Sequence, residues 1–230
     1  MKPIIFDTSP LINLAMNNLL WTLKPLKQKY KGDFLIPMPV RQEILDKPLT
    51  SKKFKLEALT VLEEFNENIL KVQWNPEIEQ KTKELLEITN NIYFSKNQPI
   101  EIMHAGEVGA IALALATEAE TFVVDERTAR ILIENPTKLL ELLEKKLHTK
   151  ITVNKKNLDL FKQRVKNIKI IRSTELMLIA YEMGLFKEFV KPSPFIKNIT
   201  KEFVDGLLWA LKLHGCSIAE DEIKEVVKTY

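Results

Sequence analysis

Four acidic residues of this 230-residue chain stand at the ends of apolar runs or at helix starts. Asp7 follows Ile4, Ile5 and Phe6 and precedes the Ser9-Pro10 pair, which reads as a helix start; Asp125 closes the run TFVV at 121 to 124. A carboxylate at a strand's carboxyl end lies on the edge where open α/β sheets bind ligands, and parallel strands present such groups on one rim. Glu43 comes three residues after Val40 and next to Ile44, so it borders the apolar face of a helix that Pro39 opens. Glu107 falls in the first turn of HAGEVGAIALALA, four residues before Ile111, again on an apolar face. That helix must run antiparallel to the strand that follows it, which brings its start to the same rim. All four acids are therefore expected to converge.

Converging carboxylates repel one another, and in a half-buried rim one takes up a proton unless a cation neutralises them. A bound divalent ion is the economical resolution. Oxygen-only ligands suit magnesium or manganese, Mg2+ or Mn2+, which keep several waters and also bind phosphates. Such an ion activates water for attack on phosphorus. Read singly, each aspartate is also a good helix cap, and Ser9 ahead of Pro10 reads as the cap of the first helix. His104, alone in a loop, is given no role.

The elements that must position these acids alternate. Short apolar runs, IIF at 4 to 6, FLIP at 34 to 37, TFVV at 121 to 124 and IKII at 168 to 171, are separated by amphipathic stretches, with LKVQW at 70 to 74 as one further short strand. This alternation predicts βαβ units and a parallel sheet. Helices are expected at 10–20, from Pro39, at 52–66, 76–90, 105–117, 128–134 and 175–183, and in the C-terminal SIAEDEIKEVVKTY. The helices at 52–66 and 76–90 read as an arm, at about 48–100.

The length admits one domain with an elaboration or two small ones, and the composition is that of an ordinary globular protein. The N-terminus shows no basic start followed by an apolar stretch and a small-residue cleavage site. The most apolar window, Val108 to Ala116, is too short to span a bilayer, and the expectation is a cytoplasmic protein. A single cysteine, Cys216, excludes an intrachain disulfide and any cysteine-based metal cluster. The net charge is only +3, yet residues 136 to 169 carry ten Lys or Arg against three acids. That block, at about 135–167, reads as a basic helical hairpin inserted into the α/β alternation. A polyanion-contacting surface and a merely solvated lysine-rich face both fit it.

The stretches IIFDTSPLINLA, VRQEI, AGEVGAIALALA and VVDERTAR resemble, in order and spacing, the four signature stretches of the PIN-domain nucleases. The likeness extends more weakly over KIIRSTELMLIAYEMGLF and GCSIAEDEIKEVV, while the basic block and the long arm depart from the pattern. The resemblance, to VapC-like or archaeal and bacterial RNA-processing members, implies a single domain over 1–230. Its fold would be three-layer α/β/α, with a central mostly parallel sheet of about five strands plus helical insertions. Carried over by position, it implies that Asp7, Glu43, Glu107 and Asp125 are catalytic metal ligands, with Thr8 or Ser9 assisting and Glu126 where many members have a further acid. Arg127 and Arg130 fall where the family often has basic residues, which pair with the acids or with a phosphate.

The expected activity is Mg2+- or Mn2+-dependent cleavage of RNA, single-stranded by expectation, with Lys145, Lys146, Lys155 and Lys156 of the basic block holding its backbone. A homodimer and an antitoxin or RNA-processing partner are the protein partners this reading admits; no membrane is expected. The alternative is a catalytically quiet PIN scaffold that binds RNA or a protein through its insertions. A phosphatase of the haloacid dehalogenase kind also has an aspartate after its first strand. It needs a second aspartate two residues on, where this chain has Ser9.

Overall fold

The computed structural model describes residues 1–230. The first half runs β1 (Ile4–Phe6), α1 (Thr8–Met16), α2 (Leu23–Tyr30), β2 (Phe34–Ile36), α3 (Met38–Arg41), α4 (Lys47–Leu49), α5 (Lys55–Asn66), β3 (Leu70–Val72) and α6 (Pro76–Thr89). A short hairpin, β4 (Tyr93–Ser95) and β5 (Gln98–Pro99), leads to α7 (Ala105–Ala116), β6 (Thr121–Val123) and α8 (Arg127–Glu134). Then follow α9 (Pro136–Leu147), β7 (Ile151–Val153), α10 (Lys155–Val165), β8 (Lys169–Ile171), α11 (Ser173–Glu182), α12 (Ile199–Leu213) and α13 (Glu220–Val227).

The apolar triplets form a five-stranded sheet of order β3-β2-β1-β6-β8, parallel throughout. Its strands read as unbroken apolar runs because helices cover both faces. Alternate residues of each strand go to opposite sides. Ile4, Phe6, Phe34, Ile36 and Val123 pack in one core with helices that include α1, α5, α11 and α12. Ile5, Leu35, Phe122 and Val124 pack in the other with α6, α7, α8 and α10. Fully burying each such side chain contributes about 1.5–3 kcal/mol. The result is a three-layer α/β/α fold. No helix is long and apolar enough to cross a membrane.

Chain order builds outward from β1 to β2 and β3 on one side, and to β6 and β8 on the other. The topological switch point therefore lies between β1 and β6, and the crevice at their carboxyl ends is the expected ligand site of such a sheet.

Three local features differ from the sequence reading. The first helix begins at Thr8, because the Asp7 side chain accepts from Ser9 N and takes the capping position expected for Ser9. Pro10 is tolerated there since its missing N–H belongs to the unbonded first turn. The helix at Pro39 begins at Met38 and widens into a π-helical segment over Gln42–Asp46, a distortion that recurs at functional sites. The basic block is a helix–strand–helix unit, not a plain helical hairpin. Its strand β7 pairs antiparallel with β4 of the arm in a second small sheet, and Tyr93 Oη donates to Pro136 O at 2.9 Å. Arm and basic block are thereby joined. In addition, α12, to which the sequence reading assigned no element, packs Val204, Leu207, Leu208 and Leu211 into the first core.

Candidate active site

Asp7 leaves β1 at the switch point, its N–H donating to Val123 O of β6 at 2.9 Å. Its side chain is only 3% exposed, and Oδ2 accepts from Ser9 N at 3.2 Å and Ser9 Oγ at 2.7 Å. Burial pushes its carboxyl up to about 6; the Ser9 hydrogen bonds pull it down and the Glu43 charge pushes it up. Beside it, Thr8 Oγ1 donates to Glu43 Oε2 at 2.6 Å, fixing the glutamate carried by the π-helical segment. Gly106 gives that carboxylate room: a Cβ there would stand 3.1 Å from Glu43 Oε2.

Glu107 is 9% exposed at the start of α7, where its Oε2 accepts from His104 N at 2.7 Å. Satisfying an orphan first-turn donor holds the carboxylate at the helix end. Burial is the main cause that raises Glu107 to about 8, and Asp7, Glu126 and Glu43 add like-charge repulsion. Asp7, Thr8, Ser9, Glu43, Glu107 and Glu126 line one open pocket of about 370 Å³, with His104 and His214 also on its wall.

Asp125 departs from the expected convergence. It is fully buried, and both carboxylate oxygens are filled: Oδ1 by Ser173 N at 2.7 Å, Oδ2 by Ser173 Oγ at 2.7 Å and Asn13 Nδ2 at 2.9 Å. The side chain turns inward because the start of α11 and the amide of Asn13 offer the donors that a buried carboxylate requires. Its successor Glu126 takes the place on the pocket wall and also caps α8 by accepting from Ala129 N at 2.7 Å. Ser9 Oγ, besides donating to Asp7, accepts from Asp125 N at 3.2 Å and so couples the two strand ends.

The structure thus brings together Asp7, Glu43 and Glu107, with Thr8 and Ser9 hydrogen-bonded to the carboxylates. Arg127 and Arg130 lie outside this pocket, in a neighbouring cleft. Lys145, Lys146, Lys155 and Lys156 are exposed, and none lines the acidic pocket. Sequence reasoning missed Asn13, Ser173 and Arg172. For Asn13 a signal existed, since a polar residue between Leu11 and Leu14 on a buried helix face needs internal partners. Arg172 is nearly buried and reaches Glu175, Glu222 and Ser217 O, pinning the loop after α12. Its hydrogen bonds are the main cause holding the Glu222 carboxyl below its ordinary value.

The donor set fits a hard divalent cation. It offers carboxylate oxygens only, partly withdrawn from water, and two of them are raised by burial and mutual repulsion that a cation would relieve. As they stand, no three ligand-type side chains close on one point, so Glu43 or Glu126, both half-exposed, would swing inward to hold an ion. A family model described as a PIN domain matches residues 3–137, a stretch that contains all of these acids. Comparison with the curated proteins and with the solved structures returns no match.

Proposed function

Because the chain belongs to the PIN-domain family, whose members are generally metal-dependent nucleases, we propose that it is an endoribonuclease using Mg2+ or Mn2+. The observation that carries this reading is the pair of buried carboxyl groups, Asp7 and Glu107, facing one pocket at the sheet's switch point. Asp7, Glu43, Glu107 and Glu126 are the residues that would hold the ion. When bound, it supplies the positive charge that activates water and stabilises charge developing on the phosphate.

The chain's own residues supply the orientation. Ser9 fixes Asp7, Thr8 fixes Glu43, and the start of α7 fixes Glu107 through His104 N. Asp125 acts as a positioning residue: it ties the end of β6 to α1 through Asn13 and to α11 through Ser173. A proton held by Glu107 at neutral pH must leave before the carboxylate can bind an ion, so metal binding tightens as pH rises towards about 8. The arm is a long elaboration within the matched stretch and the basic block adds surface beyond it, which supports RNA processing over a toxin role.

The test is hydrolysis of a single-stranded oligoribonucleotide with Mg2+ or Mn2+, against a chelated blank. Asp7→Asn and Glu107→Gln should each lower the rate by at least about 100-fold, since a neutral amide is a poor ligand for a hard ion. Wild-type rates in both variants would overturn the assignment. A second reading, the quiet scaffold, is favoured by one observation: both oxygens of Asp125 are already satisfied internally. RNA binding without cleavage under any divalent ion would support it.

A further inference from the structure

A second cleft, of about 810 Å³, opens beside the acidic pocket. The two share their walls by chain adjacency. Glu126 lines the acidic pocket and Arg127 the cleft, while on the other side the turn that closes α12 gives His214 to the pocket and Gly215 to both. Gly215 has φ +116° and nothing within 4 Å of where a Cβ would be, so the boundary between the two cavities is low and open.

The character of the wall changes across that boundary. Arg127, Arg130, Lys138 and Lys212 line the cleft, with Glu134 and Glu222 as its acids. Glu222 is committed to the nearly buried Arg172. Arg130 holds Ser217 O at 3.1 Å and approaches Glu134 at 3.7 Å, yet its Nε is buried with no acceptor. Lys212 Nζ donates to Ile218 O at 2.6 Å. Arg127 and Lys138 form no ion pair, although lysines elsewhere on the surface pair readily. Unpaired cations around a concavity, next to a guanidinium short of one acceptor, suit a ligand with several anionic oxygens.

The geometry points to a phosphate-binding cleft, formed by Arg127, Arg130, Lys138 and Lys212, that carries the RNA backbone leading away from the acidic pocket. Identifying the polyanion as RNA rests on the ribonuclease reading. A strand with one phosphate over the acids has its following phosphates across the Glu126–Arg127 boundary, where the sign of the wall reverses. Contacts to phosphate position a strand without reading its bases, so this cleft sets the direction and register of RNA and not its sequence.

The experiment measures binding of a fluorescein-labelled 12-nucleotide RNA to the full chain by anisotropy, in chelator so that nothing is cut, at several salt concentrations. The double variant Arg127→Ala, Lys138→Ala removes two exposed, unpaired cations and leaves folding intact. The slope of log affinity against log salt should flatten by roughly 1.4, at about 0.7 per lost single-strand phosphate contact. At 0.1 M salt this is about a 25-fold loss relative to a 1 M reference. The control Lys29→Ala, Lys31→Ala removes the same charge ahead of β2, at the opposite edge of the sheet, and should shift affinity by less than about threefold. Equal effects of the two double variants, an unmoved affinity in the first, or no RNA binding by the wild type would each overturn the proposal. So would loss of poly-glutamate binding with RNA affinity unchanged, which would assign the cleft to an acidic protein segment. Hydrolysis by the wild type with Mn2+, measured separately, tests the nuclease reading on its own.

Discussion

Replacing Glu107 by glutamine should stabilise the metal-free protein at alkaline pH. The glutamine side-chain carbonyl can still accept from His104 N, so the helix cap survives while the charge is removed. In the folded wild type the Glu107 carboxyl titrates at about 8, against 4.5 for the ordinary side chain, so the folded state holds its proton more tightly than the unfolded chain. Below the unfolded value both states are protonated and the group is neutral to stability. As pH rises from there to about 8 the unfolded chain ionises first, and stability falls by about 1.4 kcal/mol per pH unit. Above the folded value the loss levels off. Between pH 5 and pH 8 the wild type should therefore lose about 4 kcal/mol more than the variant, a ceiling because Glu107 can relieve part of the cost by turning outward. Urea unfolding of both proteins in chelator across this range measures the gap. A gap that stays constant with pH would refute the claim that Glu107 is held in a desolvated, like-charged pocket. Mn2+ should narrow the gap, since an ion that binds only the folded wild type at 100 times its dissociation constant returns about 2.7 kcal/mol.

Asp125→Ala should destabilise the fold by about 3–5 kcal/mol, because it strands Ser173 N–H and the Ser173 hydroxyl proton in a fully buried site and takes one acceptor from the Asn13 amide, which keeps Leu211 O. Asp7→Asn, which removes a carboxylate already raised by burial, should cost less than about 1 kcal/mol by the same thermal or urea measurement; equal losses would refute the distinction between an internal tie and a pocket acid. Alanine at Lys145, Lys146, Lys155 and Lys156 together should weaken RNA binding and flatten its salt slope by up to about one counterion per lost contact. An unchanged titration would leave the basic block as a solvated face or a protein-docking surface.

The sequence by itself determined the layered α/β architecture. Runs such as IIF, FLIP and TFVV can be buried on both faces only in a covered parallel sheet, and the helical spacing between them supplies the cover. It also placed Asp7, Glu43 and Glu107, because each position follows from local rules: a strand end, a helix start, a residue bordering an apolar face. Other features depend on partners remote in the chain. Which of the consecutive acids Asp125 and Glu126 faces the pocket is settled by Ser173 and Asn13, 48 and 112 residues away, whose donors draw Asp125 inward. The pairing of β4 with β7 joins two three-residue strands about 60 residues apart, too short to announce themselves by periodicity. The cleft beside the acids likewise assembles α8, α9 and the turn after α12. Local pattern fixes what each element is and which side it buries. Only close packing of distant elements decides where a buried carboxylate finds its donors, and so which charges are left facing the pocket.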